Sequence, residues 1–213
     1  VVRDVTAGSG TVPGYGIYAG GAVAGSITGK ADVRRVVVTR ARAGIVALGA
    51  ALTVREAWVH ALTGADAVGI GMPHGTTLLT SIDVEGVVVE DVEDRGIAAV
   101  NAPLTVRRAT VVHTGGPGIS ASGADVTIET SKVVRARRRG ISTDGCIAKI
   151  SRTLVLDTIT QGSLEGSQGC GVCAAADPNA GKRLELVDVI SRGHPLGGVG
   201  VDGVQLTIEG ARI

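Results

Sequence analysis

Three side chains with complementary chemistry recur at one position of a repeated sequence. Asp91, His113 and Arg135 are 22 residues apart, and each lies two residues after a valine that closes a similar segment. Equal positions on neighbouring parallel strands stack at about 4.8 Å, so these side chains are expected to form a column. A carboxylate, an imidazole and a guanidinium at this spacing could bind an acidic sugar or transfer a proton, which makes them our candidate catalytic residues.

A structural interpretation fits the same column. Opposite charges on neighbouring strands neutralise each other, and an exposed pair of this kind usually contributes less than about 1 kcal/mol. The arginine run of Arg135, Arg137, Arg138 and Arg139 has two interpretations as well. It could grip a polyanion, with Arg137 as a ligand-binding residue, or form a solvated face.

The acidic run of Glu90, Asp91, Glu93 and Asp94 offers oxygen ligands of the kind that Ca²⁺ prefers. It lacks the glycine-aspartate periodicity of a calcium-binding roll, and the arginine run two coils away is expected to offset its charge. We therefore predict no metal site and no cofactor, with Ca²⁺ at this run as the alternative.

Further ligand-binding candidates lie in or beside longer loops. Tyr15 and Tyr18 could form a small platform for a sugar ring. His74 lies in a turn-like Pro-His-Gly sequence, and Asp144 lies in the predicted loop Ser142 to Thr153. Because the chain has one Trp, two Tyr and no Phe, we do not expect a long cleft that binds sugars by stacking.

The three cysteines leave two alternatives open. Cys170 and Cys173 have the spacing of a redox or zinc half-site, and Cys146 could approach them from the preceding loop. No strand-then-helix context accompanies the pair, so we favour buried small side chains or one disulfide.

The elements that position these residues follow from an internal repeat. Gly96–Pro117 and Gly118–Arg139 are consecutive 22-residue units that open with Gly-Ile and continue to an apolar-x-apolar triplet. The apolar pattern of each unit closes on a valine, Val111 or Val133. A period of this length with strand chemistry and no helical segment is typical of a parallel β-helix.

The same triplet recurs along the whole chain. Eight copies are predicted, at Ala31/Val33, Leu52/Val54, Ile82/Val84, Leu104/Val106, Val126/Ile128, Leu154/Leu156, Leu184/Leu186 and Leu206/Ile208. Residues Val2 to Val5 resemble the tail of a ninth. Side chains alternate along a strand, so the middle residue of each triplet should face solvent.

Some coils are longer than 22 residues, and the extra residues are predicted to enter at one corner. The long loops are expected at Tyr18 to Lys30, Met72 to Thr80, Ser142 to Thr153 and Cys173 to Lys182. Loops on one side of a solenoid commonly form its binding surface.

Composition limits the function classes. The 21 Lys and Arg residues nearly balance 20 Asp and Glu, giving a formal charge of +1, so no nucleic-acid partner is expected. No run of 18 apolar residues exists, so no membrane insertion is expected. The array stops in the middle of a copy, which favours either a segment of a longer protein or end-to-end self-association.

The Gly-Ile, Leu-Thr-Val and Val-Val steps of residues 44–59, 96–111 and 118–133 resemble the right-handed parallel β-helix repeats of the pectin-lyase-like superfamily. The resemblance implies three short strands per coil and a secreted or surface protein, often a polysaccharide lyase, hydrolase or epimerase. The catalytic signatures of polygalacturonases, pectate lyases and alginate epimerases are absent from this sequence, as is the asparagine ladder. No catalytic residue is carried over from the family.

We therefore expect an all-β, right-handed parallel β-helix (solenoid) of about eight to nine coils, forming a single domain over residues 1–213. The expected function is a non-catalytic structural or binding segment of a bacterial secreted or cell-surface protein, with loops that recognise a partner such as a polysaccharide. The alternatives are a lyase, hydrolase or epimerase acting on acidic glycans, and a self-assembling filament subunit.

Overall fold

Strands make up most of the described chain. The structure, a computed structural model, describes residues 2–3, 14–20, 22–23, 26–27, 29–72, 81–160 and 169–213. In chain order the strands are β1 (Val2–Arg3), β2 (Tyr15–Gly20), β3 (Ala22–Val23), β4 (Ser26–Ile27), β5 (Gly29–Arg34), β6 (Val37–Thr39), β7 (Ala43–Leu48), β8 (Ala50–Arg55), β9 (Trp58–Leu62), β10 (Val68–Gly71), β11 (Ile82–Glu85), β12 (Val88–Val92), β13 (Arg95–Val100), β14 (Leu104–Arg107), β15 (Thr110–Thr114), β16 (Ile119–Ser122), β17 (Val126–Glu129), β18 (Lys132–Ala136), β19 (Arg139–Asp144), β20 (Ala148–Ser151), β21 (Leu154–Leu156), β22 (Cys170–Ala175), β23 (Arg183–Val187), β24 (Ile190–Arg192), β25 (Gly197–Asp202) and β26 (Gln205–Glu209).

Twenty-four of these strands form three parallel sheets of eight strands each, the arrangement of a parallel β-helix, and β3 and β4 pair with each other antiparallel. Sheet 1 contains β1, β6, β9, β12, β15, β18, β21 and β24; sheet 2 contains β2, β7, β10, β13, β16, β19, β22 and β25; sheet 3 contains β5, β8, β11, β14, β17, β20, β23 and β26. One strand from sheet 2, then sheet 3, then sheet 1 makes one coil, so the described chain forms eight coils, the last without a sheet 1 strand. The predicted fold is confirmed, and β1 pairs with β6 as the tail of a preceding coil.

Helix is nearly absent from the described residues. A three-residue 3-10 helix at Pro178–Ala180 is the one helical segment among them. Accordingly, none of the described helical structure is long and apolar enough to cross a membrane.

The triplets of sheet 3 line the core as their alternation predicts. Leu104 and Val106 of β14 are buried, whereas Thr105 between them faces outward. The inward positions stack from coil to coil, with Leu104 between Ile82 and Val126. A narrow interior filled by Val, Ile, Leu and Ala results, since each coil adds the same few side chains.

The predicted triplet Leu154/Leu156 is wrong. β21, which contains both leucines, pairs with β18 in sheet 1, and the sheet 3 strand of coil 6 is β20, with Ala148 and Ile150 facing the core. The residue predicted to face solvent, Val155, is fully buried. Ala148-x-Ile150 and Leu154-x-Leu156 both have the apolar-x-apolar pattern. The leucines are more hydrophobic, so the second segment was assigned to sheet 3 in place of the first.

The prediction that all insertions enter the solenoid at one corner is therefore also wrong. Ser142 to Thr153 is not a long loop, because it contains the end of β19 and all of β20. The added length instead lies between β21 and β22, at the corner between sheets 1 and 2, where residues 161–168 are outside the described part. The other three predicted loops lie between sheets 2 and 3, and parts of the first two are not described either.

Candidate functional site

A repeated left-handed turn places the Asp91, His113 and Arg135 column. The residue two positions after the buried sheet 1 residue has a positive φ in six successive coils: Arg40 (53°), Ala61 (56°), Asp91 (53°), His113 (54°), Arg135 (53°) and Asp157 (53°). In this conformation the chain turns from sheet 1 towards sheet 2, and the side chains at the turn project from one edge of the solenoid. Most side chains disfavour a left-handed backbone, so the stacking of the coils must hold it in place.

The three predicted residues lie in contact in this column. The Asp91 Oδ1 atom is 3.4 Å from His113 Nδ1, and the Arg135 Nη1 atom is 3.3 Å from His113 Nε2. Because a guanidinium can only donate, Nε2 accepts and the ring proton lies on Nδ1, facing the carboxylate. Both ring nitrogens are therefore engaged within the column.

The column forms one wall of a groove with a volume of about 540 Å³ at the corner between sheets 1 and 2. Its floor includes the buried side chains of Leu62, Val92 and Thr114. Glu93 and Arg137 also line the groove. The lining residues come from five successive coils, so the groove runs parallel to the solenoid axis over about 20 Å.

The groove has an acidic end and a basic end. Asp91 and Glu93 lie on coil 3, and Arg135 and Arg137 lie on coil 5, about 10 Å further along the axis. Neither arginine pairs with a carboxylate among the described residues, Arg135 contacting only the imidazole of His113. Direct contact with the acidic run is thus absent for Arg135 and Arg137 among the described residues, and the expected offset of the acidic charge would act over about 10 Å.

The charged side chains on the outer face of sheet 3 differ in this respect, because they neutralise one another. Ion pairs with distances of 2.6 to 3.6 Å and two closer contacts join successive coils or nearby positions: Arg34 to Asp32, Arg35 to Glu56, Arg55 to Asp83 and Glu85, Arg107 to Asp83 and Glu129, Arg108 to Glu85, and Lys149 to Glu185. Most arginines of this face are thus neutralised by nearby carboxylates, unlike Arg135 and Arg137.

The acidic run does not converge on one point. Glu90 accepts a hydrogen bond from Trp58 Nε1 (2.9 Å), Glu93 accepts one from the Gly64 amide (2.5 Å), and Asp94 pairs with the buried Arg95 (3.2 Å). No cluster of three or more His, Cys, Asp or Glu side chains able to hold a metal ion occurs in the described part of the chain. The Ca²⁺ alternative therefore gains no geometric support.

Of the other ligand-binding candidates that the structure describes, Arg137 alone lies in the groove. Tyr15 and Tyr18 stack with their ring centroids 5.3 Å apart, but on sheet 2, and Tyr18 is exposed. Burial and the neighbouring Tyr18 raise the pKa of Tyr15. Asp144 is exposed at the end of β19, at the corner between sheets 2 and 3. His74 lies outside the described residues.

The cysteines form one disulfide and one free thiol. Cys170 and Cys173 are joined within β22, and Cys146 is buried and unpaired. The Cys146 thiol donates a hydrogen bond to the carbonyl oxygen of Asp144 (3.2 Å), and burial raises its pKa. This arrangement matches the favoured sequence interpretation, a disulfide with no metal half-site.

Sequence analysis missed a polar cluster in coil 7. The Ser191 hydroxyl replaces the valine found at this core position in other coils, lies 3.0 Å from His194 Nε2 and donates to the Gly198 carbonyl at 2.7 Å. Thr158 reaches Nδ1 of the same imidazole, with its hydroxyl at 2.9 Å. Because Ser191 is fully buried and its proton points to a carbonyl, this Ser-His pair is not arranged for nucleophilic attack.

This cluster predicts a pH-dependent stability. Burial lowers the pKa of His194 from its ordinary value of 6.5, and this effect exceeds the opposite effects of a hydrogen bond to the Val155 backbone and of the Asp157 charge. The unfolded chain therefore binds the proton more readily than the folded chain, and the stability present above pH 6.5 is lost as the pH falls.

Urea unfolding of the parent chain and of His194→Gln, at a series of pH values from about 8 to about 5, measures this effect. We expect the parent chain to lose more stability than the variant; parallel curves would contradict the assignment.

No family model matches the chain, and no curated protein sequence matches it.

Proposed function

We propose that this β-helix is a non-catalytic binding segment of a secreted or surface protein, which holds an acidic polysaccharide along the corner groove. The observation that carries the proposal is the pair of groove arginines, Arg135 and Arg137, without carboxylate partners in the described chain. An arginine binds a carboxylate or sulfate through two parallel hydrogen bonds. Two groove arginines without carboxylate partners in the described chain can therefore bind successive anionic groups of a repeating polymer.

The shape of the groove favours a linear ligand over a compact one. Its lining extends over five coils, and the described lining contains no Phe, Tyr or Trp side chain. A sugar chain would therefore be held by charge and by hydrogen bonds rather than by stacking. The resemblance to the pectin-lyase-like superfamily supports this partner class, and we propose membership in that superfamily with a right-handed coil.

Binding is tested with polygalacturonate and alginate by isothermal titration calorimetry. We expect the double variant Arg135→Ala/Arg137→Ala to lose at least about tenfold in affinity, since two charge-assisted contacts disappear. Arg107→Ala removes an arginine that already has two carboxylate partners on sheet 3, so its affinity should stay unchanged. Affinity should also fall steeply as salt is raised.

Two outcomes would contradict the proposal. One is the absence of binding to either polymer at low salt, and the other is an equal loss of affinity in the Arg107→Ala control. Circular dichroism and thermal unfolding of each variant establish that the fold is retained.

One observation favours a second function, that of a lyase or epimerase acting on the same polymers. His113 lies between Asp91 and Arg135, as a base oriented by a carboxylate and an anion-binding group would. Both ring nitrogens are engaged, however, and the Asp91 and His113 side chains are 63% and 48% exposed, which gives little shielding from water. Unsaturated ends, produced by the parent chain and not by His113→Ala and measured by ultraviolet absorbance, would establish lyase activity in place of binding alone. An epimerase forms no unsaturated ends and would instead change the C5 configuration of the polymer, measured by NMR.

A further inference from the structure

The groove between sheets 1 and 2 contains two parallel columns of residues, and both columns have the same order of charge. The first is the column described above, which runs from Asp91 to Arg135. The second contains Glu93, Gly115 and Arg137, which occupy equal positions in the same three coils. In each column the carboxylate lies on coil 3 and the guanidinium on coil 5. The acidic end and the basic end of the groove are therefore each built from two side chains.

Gly115 keeps the space between the two charges of the second column open. A Cβ atom at this position would clash with the backbone carbonyl oxygen of Glu93, so a side chain there would push the coils apart. In the first column, by contrast, the imidazole of His113 contacts both charged neighbours. Glu93 and Arg137 are exposed and about 10 Å apart along the axis, with no side chain of their own column between them.

The carboxylates of the groove lack cationic partners, as the arginines lack anionic ones. Asp91 faces only the imidazole of His113, and Glu93 accepts a hydrogen bond from the Gly64 amide. No lysine or arginine of the described chain pairs with either carboxylate. A polymer with an anion on every sugar would satisfy the arginines and would also bring anions towards Asp91 and Glu93, where like charges repel. A uniform polyanion is therefore an incomplete match for this groove.

We infer that the groove takes a zwitterionic glycan, in which amino groups accompany the anionic groups along one linear chain. The inference rests on the proposed function, because the arginines bind the anionic groups in both cases. What it adds is an ammonium group at the acidic end, which donates charge-assisted hydrogen bonds to Asp91 and Glu93. A polymer in which a uronic acid alternates with an unacetylated hexosamine supplies both charges.

Hyaluronate oligosaccharides provide a matched pair of probes, because removing their acetyl groups converts a polyanion into a zwitterion with the same sugar chain. Isothermal titration calorimetry at low salt, at a pH where the amino groups are protonated, measures the affinity of both forms. We expect the parent chain to bind the deacetylated form at least about tenfold more tightly, since attraction replaces repulsion at the acidic end.

The outcomes separate this inference from the function on which it rests. Equal or weaker binding of the deacetylated form overturns the inference alone, and so does its failure to bind a chain that binds polygalacturonate. If no polymer binds, the proposed function fails with it. The variant Arg135→Ala/Arg137→Ala should weaken the binding of both hyaluronate forms, because both use the basic end.

A single substitution at the acidic end should change the two affinities in opposite directions. Glu93→Gln removes one negative charge and keeps an oxygen that accepts the hydrogen bond from the Gly64 amide. We expect the deacetylated form to bind about fivefold less tightly and the acetylated form to bind more tightly, a pattern that a general loss of fold cannot produce.

Glu129→Gln is the matched control for this change in net charge. Glu129 lies on the outer face of sheet 3 beside Arg107, outside the groove, so both affinities should stay as in the parent chain. If Glu93→Gln leaves both affinities unchanged, or lowers both, the ammonium group does not lie at the acidic end and the inference is wrong.

Discussion

Replacing Gly96 by alanine is expected to destabilise the solenoid by about 3 kcal/mol, or about 10 °C in the unfolding midpoint. A Cβ atom at this position would lie 2.4 Å from the carbonyl oxygen of Gly118 in the next coil and 2.5 Å from Val111 Cγ1. The oxygen belongs to the backbone ladder and the valine to the core, so neither can move without separating the coils. Thermal and urea unfolding, followed by circular dichroism, measure the loss.

Gly200 provides a matched control in the same sheet. A Cβ there meets only Cys170 Sγ, at 3.3 Å, so Gly200→Ala should cost well under about 1 kcal/mol. Equal destabilisation by the two substitutions would show that the close approach at Gly96 is not the cause. The same contact recurs at Gly44, Gly69, Gly118 and Gly140, which gives a steric reason for the glycine that opens each repeat.

The sequence was sufficient to predict the solenoid because a parallel β-helix repeats its constraints in every coil. Leu104 and Val126 are equivalent in sequence and also partners in sheet 3. Thr105, between two core residues, could be assigned to the surface from alternation alone. Each coil thus supplied an independent copy of the same prediction.

Coil 6 shows where this reasoning fails. Ala148-x-Ile150 and Leu154-x-Leu156 have the same local pattern, and hydrophobicity favours the second. Only the register decides between them, because Ala148 pairs with Val126 and Leu184, whereas Leu154 pairs with Lys132 and Ile190. Register is a property of neighbouring strands, so a single segment does not contain it.

The stacking of the three column residues could be predicted from the sequence, whereas the other residues of the groove could not. Asp91, His113 and Arg135 share a repeat position, so their stacking followed from the 22-residue spacing. Glu93 and Arg137 also line the groove, but their repeat position differs from that of the column, so the spacing did not bring them together with it. The cluster of Ser191 and His194 includes Thr158, whose contact with the imidazole depends on the register of coil 6.

Truncating Ile128 in the central core is expected to cost about 3 to 4 kcal/mol. Ile128 is fully buried on β17 and stacks between Val106 and Ile150 in sheet 3. Removing three carbons leaves a cavity that the backbone ladders on both sides prevent from collapsing. Urea unfolding of Ile128→Ala measures the loss, and Ile128→Val, which removes one methylene group, should cost only about 1 kcal/mol.

Ile208 is the matched position at the end of the described solenoid. It continues the same inward row of sheet 3 beyond Leu186, yet it is 44% exposed. Ile208→Ala should therefore cost less than about 1 kcal/mol, because little of its surface leaves water on folding. Stability in a solenoid is the sum of coil terms and interfaces between neighbouring coils, so the central substitution weakens two interfaces and the terminal one weakens a single, incomplete interface. Equal losses at Ile128 and Ile208 would mean that the last coil is covered in solution, which a second copy or a further part of the protein would have to provide.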